Sequence, residues 1–372
     1  MASGEGPTRR QVLGGGAVLA ASAVLTGGAT RADAEHGDVS WLAEVQTPPA
    51  ALPKKAPTLA SLLVDDAGGK IDTPAKWQEK RKQLLAQWLQ FLGPLKVKQD
   101  PPKLKVLEEE KLDGAIRQRI SYEVEPGITV EAYLLMPAKL EGKAPGVVVM
   151  HETTNATIRV PAGVGGGGET AFALRLAKQG CVAICPICFL WVGEGNFNQR
   201  VAGVEKRHTG SKGMAKMLFD AQRAVDALAA LPQVDPNRLG AVGHSLGAKE
   251  ALYLAAFDER IIATVSSEGG VGVRFSNWDA PWYLTPAIND PAFKRDHHEL
   301  LALIAPRPFL LVGGDSADGD QSWPFIDAAL PVYRLLAPRS RPRLGLLNHR
   351  KGHTVPPDAQ KKIDEWLLTY LG

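Results

Sequence analysis

The run Leu239-Gly240-Ala241-Val242-Gly243-His244-Ser245-Leu246-Gly247-Ala248-Lys249 decides how this chain folds. Its first five residues are small or apolar, which suits a strand buried on both faces. From Ala248 to Phe257 the apolar residues fit a helix. Between the two lies Gly243-His244-Ser245-Leu246-Gly247, a strand-to-helix turn. Its glycines remove side chains that would clash, so the serine sits in strained backbone and its hydroxyl projects above the sheet.

The same grammar extends outward from this turn. Residues 120–125 and 128–135 flank Pro126-Gly127 and predict a hairpin. Strands are predicted at 146–150, 181–185, 262–266, 309–312 and 344–347, and helices at 169–178, 214–231, 325–336 and 358–371. This alternation predicts an α/β fold with a mostly parallel central sheet flanked by helices. A further helix is predicted over 74–92, with Thr73 as its cap, Pro74 at its first position and Gly93-Pro94 as its stop. Trp77, Leu84, Leu85, Trp88 and Leu92 share one face, read as core packing against the main domain. Residues 35–70, rich in Pro, Ala and Lys, read as an extended arm. The organisation expected is a leader at 1–34, an N-terminal arm and helical extension at 35–115, and a catalytic domain at 116–372.

With 45% hydrophobic and 22% charged residues among 372, the chain can bury a core and is not disordered throughout. Lys and Arg number 43 against 40 Asp and Glu, a net charge of +3. That balance argues against a nucleic-acid partner bound by broad phosphate neutralisation. Three Cys are too few for a disulfide scaffold. Cys181 and Cys185, on a predicted strand, read as buried thiols, and the sequence leaves open whether Cys185 and Cys188 of Cys185-Pro186-Ile187-Cys188 pair. Gly165–Gly168 lacks the ending of a phosphate loop and reads as a flexible connection. No clustered ligand spacing appears, so neither a metal nor another cofactor is expected.

The leader opens with Thr8-Arg9-Arg10-Gln11-Val12-Leu13, continues as a weakly apolar stretch to Gly28 and ends at Ala32-Asp33-Ala34. Charged start, apolar middle and small-residue cleavage site make a signal peptide. The paired arginines resemble a twin-arginine export signal and predict a periplasmic or secreted protein. No stable membrane span is expected after cleavage, since no apolar run reaches the roughly 20 residues a helix needs. The sequence leaves the oligomeric state open.

A serine hydroxyl needs a base to attack at neutral pH. His353, in Gly352-His353-Thr354 after the last predicted strand, is the choice, and His349 reads as structural. The imidazole in turn needs a carboxylate. Asp318 in Gly313-Gly314-Asp315-Ser316-Ala317-Asp318 is one candidate, with Asp315 beside it, and Glu268 in Ser266-Ser267-Glu268-Gly269-Gly270 is the other. The order Ser, acid, His holds for either. The backbone N–H of Leu246, at the start of a helix, suits an oxyanion. A second donor is expected after 146–150, in His151-Glu152-Thr153, from the N–H of Thr153.

These residues resemble exported α/β-hydrolases of the acetyl xylan esterase and dienelactone hydrolase-like group, with features of glucuronoyl esterases. The resemblance runs from about Ser121 to the C-terminus. It is carried by Gly243-His244-Ser245-Leu246-Gly247-Ala248-Lys249, by Glu268, by Asn277-Trp278-Asp279-Ala280-Pro281-Trp282 and by His297-His298-Glu299-Leu300 through Arg307-Pro308. It implies an α/β-hydrolase fold and a serine esterase that cleaves acyl esters through an acyl-enzyme. The implied substrate is an ester-bearing carbohydrate or small ester. It implies that Lys249 contacts sugar hydroxyls and that Trp278 stacks on a sugar ring, with Trp282, Tyr283 and Trp323 as further aromatics. The 297–308 segment is expected to brace the next strand. Two departures stand out. Glucuronoyl esterases have Arg directly after the nucleophile, where this chain has Leu246, which moves the weight toward acetyl esters. Related enzymes usually have Gly where this chain has Glu152. Competing readings are a serine peptidase of the same fold and a non-catalytic carbohydrate-binding protein.

Overall fold

A computed structural model describes residues 37–372 apart from 55, 98, 99 and 167. The expected leader lies outside the described residues. Four strands and three helices lead to the middle of the sheet: α1 (Leu42–Val45), α2 (Pro74–Leu92), β1 (Lys105–Leu112), β2 (Ala115–Glu125), β3 (Ile128–Pro137), β4 (Ala144–Met150) and α3 (Phe172–Lys178). There follow β5 (Val182–Pro186), α4 (Phe197–Arg207), α5 (Gly213–Ala229), β6 (Val234–His244), α6 (Leu246–Phe257) and β7 (Ile261–Ser267). The chain closes with α7 (His298–Ile304), β8 (Phe309–Gly313), α8 (Trp323–Leu336), β9 (Leu344–Asn348) and α9 (Pro357–Leu371).

The strands form one sheet in the order β1-β2-β3-β5-β4-β6-β7-β8-β9. Pairing is antiparallel from β1 to β5 and parallel from β5 to β9. The parallel strands read as unbroken apolar runs because helices cover both faces, as in Gly146–Met150, which is wholly buried. Residues of α1, α3 and α9 pack on one face, and residues of α2, α5, α6, α7 and α8 on the other. The chain leaves β4 to form β5 on one side, then returns to form β6 on the other. At such a reversal the strand C-termini open a crevice. The turn that ends β6 lies beside it.

The helix over 74–92 stands where the sequence puts it. The Thr73 hydroxyl accepts from the Lys76 N–H at 3.3 Å, and Gly93 ends the helix in left-handed backbone at φ 64°. Trp77, Leu84, Trp88 and Leu92 are buried. Trp88 stacks on His297 at 5.6 Å and donates its indole N–H to Glu299 at 2.6 Å. The extension is therefore fastened to the 297–308 segment. The arm at 35–70 departs from a plain extended chain, because it holds α1, whose Leu42 and Val45 are buried against the last strand. Periodicity also gave no sign of β1, Lys105–Leu112, an exposed edge strand rich in Glu and Lys, or of α4, which a capping box between Asn196 and Gln199 starts. None of the described helices is long and apolar enough to cross a membrane.

Candidate active site

Ser245 sits between β6 and α6 with φ 57° and ψ −114°, a conformation that costs a non-glycine residue energy. Its surroundings impose it. The Ser245 N–H donates to the Ser267 carbonyl at 2.8 Å. A Cβ on Gly243 would lie 2.2 Å from the Gly247 carbonyl, and one on Gly247 would lie 2.3 Å from the Met150 carbonyl oxygen. Only glycines let the elbow close this tightly on itself and on β4. Leu246 is the first residue of α6, so its N–H precedes the intrahelical ladder. Thr153 lies on the exposed loop that follows β4.

His353 follows β9 and comes over the elbow. Its ring centroid is 4.7 Å from that of His244, the residue before Ser245. Its Nδ1 lies 3.1 Å from Oε2 of Glu268. Glu268 is buried at the end of β7, in left-handed backbone at φ 56°. Its carboxylate also accepts the Ala317 N–H at 2.7 Å and the Gly314 N–H. Burial opposes its ionisation, yet the His353 contact and these two N–H groups outweigh it and hold the carboxyl below its usual range.

Asp318, named first from sequence as the partner, is placed otherwise. It is fully buried and accepts from the N–H groups of Gly270 and Val271, each at 2.7 Å, and from the Ser322 hydroxyl at 2.8 Å. It thus pins the loop just beyond Glu268, while Glu268 meets the imidazole. Asp315 bonds with Asn348 and Arg350 on the surface. His349 is tied to the Gly313 carbonyl through its backbone and to the Lys351 N–H through its ring, in keeping with a structural role.

The two residues implied for sugar contact lie inside the protein. Trp278 is 1% exposed and donates its indole N–H to the Gly270 carbonyl at 2.6 Å. Lys249 is 4% exposed, donates to the Gly269 carbonyl and holds its ammonium 4.1 Å from the Trp278 ring centroid. Burial pulls its pKa down to about 7. In this structure both brace the 269–283 loop against α6 rather than offering an open face. Tyr283 and Trp323 are buried as well, and Trp282 stays half-buried on the same loop.

Sequence reasoning missed one neighbour of the elbow and undervalued another. His244 is buried, shares a 3.1 Å contact with the Ser267 hydroxyl, and burial lowers its pKa to about 4. Glu152 places Oε2 at 3.9 Å from Nε2 of His244. The signal was there in two positions, the variable residue of the elbow and the residue where Gly is usual. The three cysteines are free and buried. Among the described residues no cluster of His, Cys, Asp and Glu has metal-binding geometry.

Residues 130–302 match the dienelactone hydrolase family. The chain is 25% identical over 252 residues, 63% of its length, to a Bacillus subtilis protein named as a hydrolase, YtaP, of which the match covers 80%. It is 30% identical over 125 residues to a 4-O-methyl-glucuronoyl methylesterase of Hypocrea jecorina, a match covering 27% of each chain. The fold superposes on a glucuronoyl esterase from Solibacter usitatus with a TM-score of 0.71 at 19% identity, covering 87% of this chain and 100% of that one. By this match and this fold, residues 130–302 are similar to a dienelactone hydrolase family domain, and the chain has an α/β-hydrolase scaffold like that of the glucuronoyl esterase structure.

Proposed function

We propose that the chain is a serine carboxylic-ester hydrolase that removes acyl groups, foremost acetyl, from carbohydrate. One observation carries the reading: His353 stands 3.1 Å from the buried Glu268, and its ring lies 4.7 Å from that of His244, the residue before the strained Ser245. Glu268 fixes the Nδ1–H tautomer and stabilises the imidazolium. The Ser245 hydroxyl attacks the ester carbonyl as His353 takes its proton, and the N–H of Leu246, joined by that of Thr153, receives the oxyanion. The sugar alcohol leaves with the proton from His353. Water then attacks the acyl-enzyme, with His353 as base, and the carboxylic acid is released from Ser245.

A second reading, cleavage of glucuronoyl esters, is favoured by the acid at Glu268 and by relatives named as glucuronoyl methylesterases. Leu246 in place of Arg weighs toward acetyl. The two are separated by measuring acetate release from acetylated xylo-oligosaccharide and alcohol release from a glucuronate alkyl ester, with Ser245→Ala as the blank. The faster release identifies the ester, and no release above the blank from either sinks both readings. The protein is further proposed to leave the cytoplasm through its twin-arginine leader. A reporter fused after residue 34 should be exported, and replacing Arg9 and Arg10 by lysine should stop it. Export untouched by that change would overturn the route.

A further inference from the structure

Glu152 is a carboxylate at the reaction centre that the triad does not use. It follows β4, whose last carbonyl lies against Gly247 of the elbow. Its Oε2 is 3.9 Å from Nε2 of His244, and the His244 ring lies 4.7 Å from that of His353. The side chain is 28% exposed, so solvent and a substrate can reach it beside the elbow. Little in the protein engages it. The Thr170 hydroxyl approaches Oε1 at 3.5 Å, the outer limit of a hydrogen bond.

The charges around Glu152 do not cancel it. His244 is kept neutral by burial. Burial raises the Glu152 pKa above its usual value, and the charge of His353 offsets this only in part. Glu169 adds a second negative charge nearby while one of its oxygens accepts the Val355 N–H at 3.0 Å. Leu246 offers no cation, and Lys249 is turned inward beneath Trp278. An ester seated on Ser245 thus meets a carboxylate with free acceptor capacity, and a second carboxylate, Glu169, lies close to it.

We propose that Glu152 is a specificity-determining residue. Its carboxylate accepts hydrogen bonds from hydroxyls of the sugar ring that carries the ester, and it disfavours a substrate with a free carboxylate beside the scissile bond. Charge-assisted hydrogen bonds are the stronger kind, and like charges in a half-buried cleft repel more than in bulk water. The proposal rests on the esterase reading of Ser245.

The test compares O-acetylated methyl xyloside with O-acetylated methyl glucuronoside, whose carboxylate is free, using the mature protein and Glu152→Gln. The wild type should prefer the neutral ester. The variant should lose kcat/KM on the neutral ester through KM and gain it on the anionic one, so that the ratio falls about tenfold or more. In the wild type alone, added salt should raise kcat/KM for the anionic ester and narrow the preference. Equal changes on both esters, or a preference indifferent to salt, would overturn the assignment. Ser245→Ala keeps the two claims apart. Turnover surviving in that variant defeats the esterase reading, whereas an unmoved ratio in an otherwise Ser245-dependent enzyme defeats only the role of Glu152.

Discussion

His353 Nδ1 and Glu268 Oε2 are 3.1 Å apart, joining the loop after β9 to the end of β7. Glu268 is held by two backbone N–H groups from the loop after β8, so its position does not depend on substrate. Asp318 secures the neighbouring turn through Gly270 and Val271. The two acids therefore have separable jobs. Glu268→Gln removes the charge that steadies the imidazolium, and kcat should fall by about 10³–10⁴. Asp318→Asn loses an acceptor for a buried donor and should cost about 1–3 kcal/mol of stability, with kcat of the folded enzyme within about tenfold of wild type. Steady-state kinetics and urea denaturation of both variants decide it, and the reverse pattern would return Asp318 to the triad.

Lys249 sets a measurable pH dependence of stability. Burial draws its pKa from 10.5 to about 7 in the folded chain. Between those values the unfolded chain binds a proton that the folded chain does not, so this residue makes stability rise with pH. Below about 7 the ammonium is buried against the Gly269 carbonyl and the Trp278 and Tyr283 rings, the Asp318 charge offsets only part of the burial, and the cost is fully present. Denaturation at a series of pH values from 7 to 10 should show the wild type gaining on Lys249→Met as pH rises. A constant difference would mean that the lysine is charged throughout.

The elbow and the ends of α2 were the legible stretches because their constraints are local. Gly243, Ser245 and Gly247 announce a tight turn by residue type alone, and Thr73 and Gly93 announce the ends of α2. The choice between Glu268 and Asp318 was not legible. Both follow strands that end at the same crevice, and a three-dimensional fact separates them: the N–H groups of Gly270 and Val271 claim Asp318. Trp278 misled for a similar reason. An aromatic in a rim loop suits a sugar, but its indole N–H is satisfied by the Gly270 carbonyl and its ring covers Lys249. The β1 strand lacked the apolar pattern because it is an exposed edge.

The closeness of the elbow to β4 gives a steric prediction. A methyl group at Gly247 would stand 2.3 Å from the Met150 carbonyl oxygen, a backbone atom with no rotamer to escape by. Gly247→Ala should cost about 3 kcal/mol and abolish activity, since relief requires moving either β4 or the turn. Gly168→Ala, where a methyl meets nothing within 4 Å, should change stability by less than about 0.5 kcal/mol. Equal stability of the two variants in urea would refute the packing argument.

The thiols supply a test tied to compartment. Cys181, Cys185 and Cys188 are free, with exposures of 0%, 0% and 5%. Burial pushes the Cys181 thiol up to about 12 and raises the other two further. The thiolate is the reactive form, so all three should resist oxidation and alkylation in the native protein even outside the cytoplasm. Iodoacetamide at pH 8 should add nothing to the folded chain, and three groups once guanidinium unfolds it without reductant. If two cysteines took up label only after reduction, Cys185 and Cys188 would be the pair to examine, and the end of β5 and the turn after it would have to open where both sulfurs are now buried.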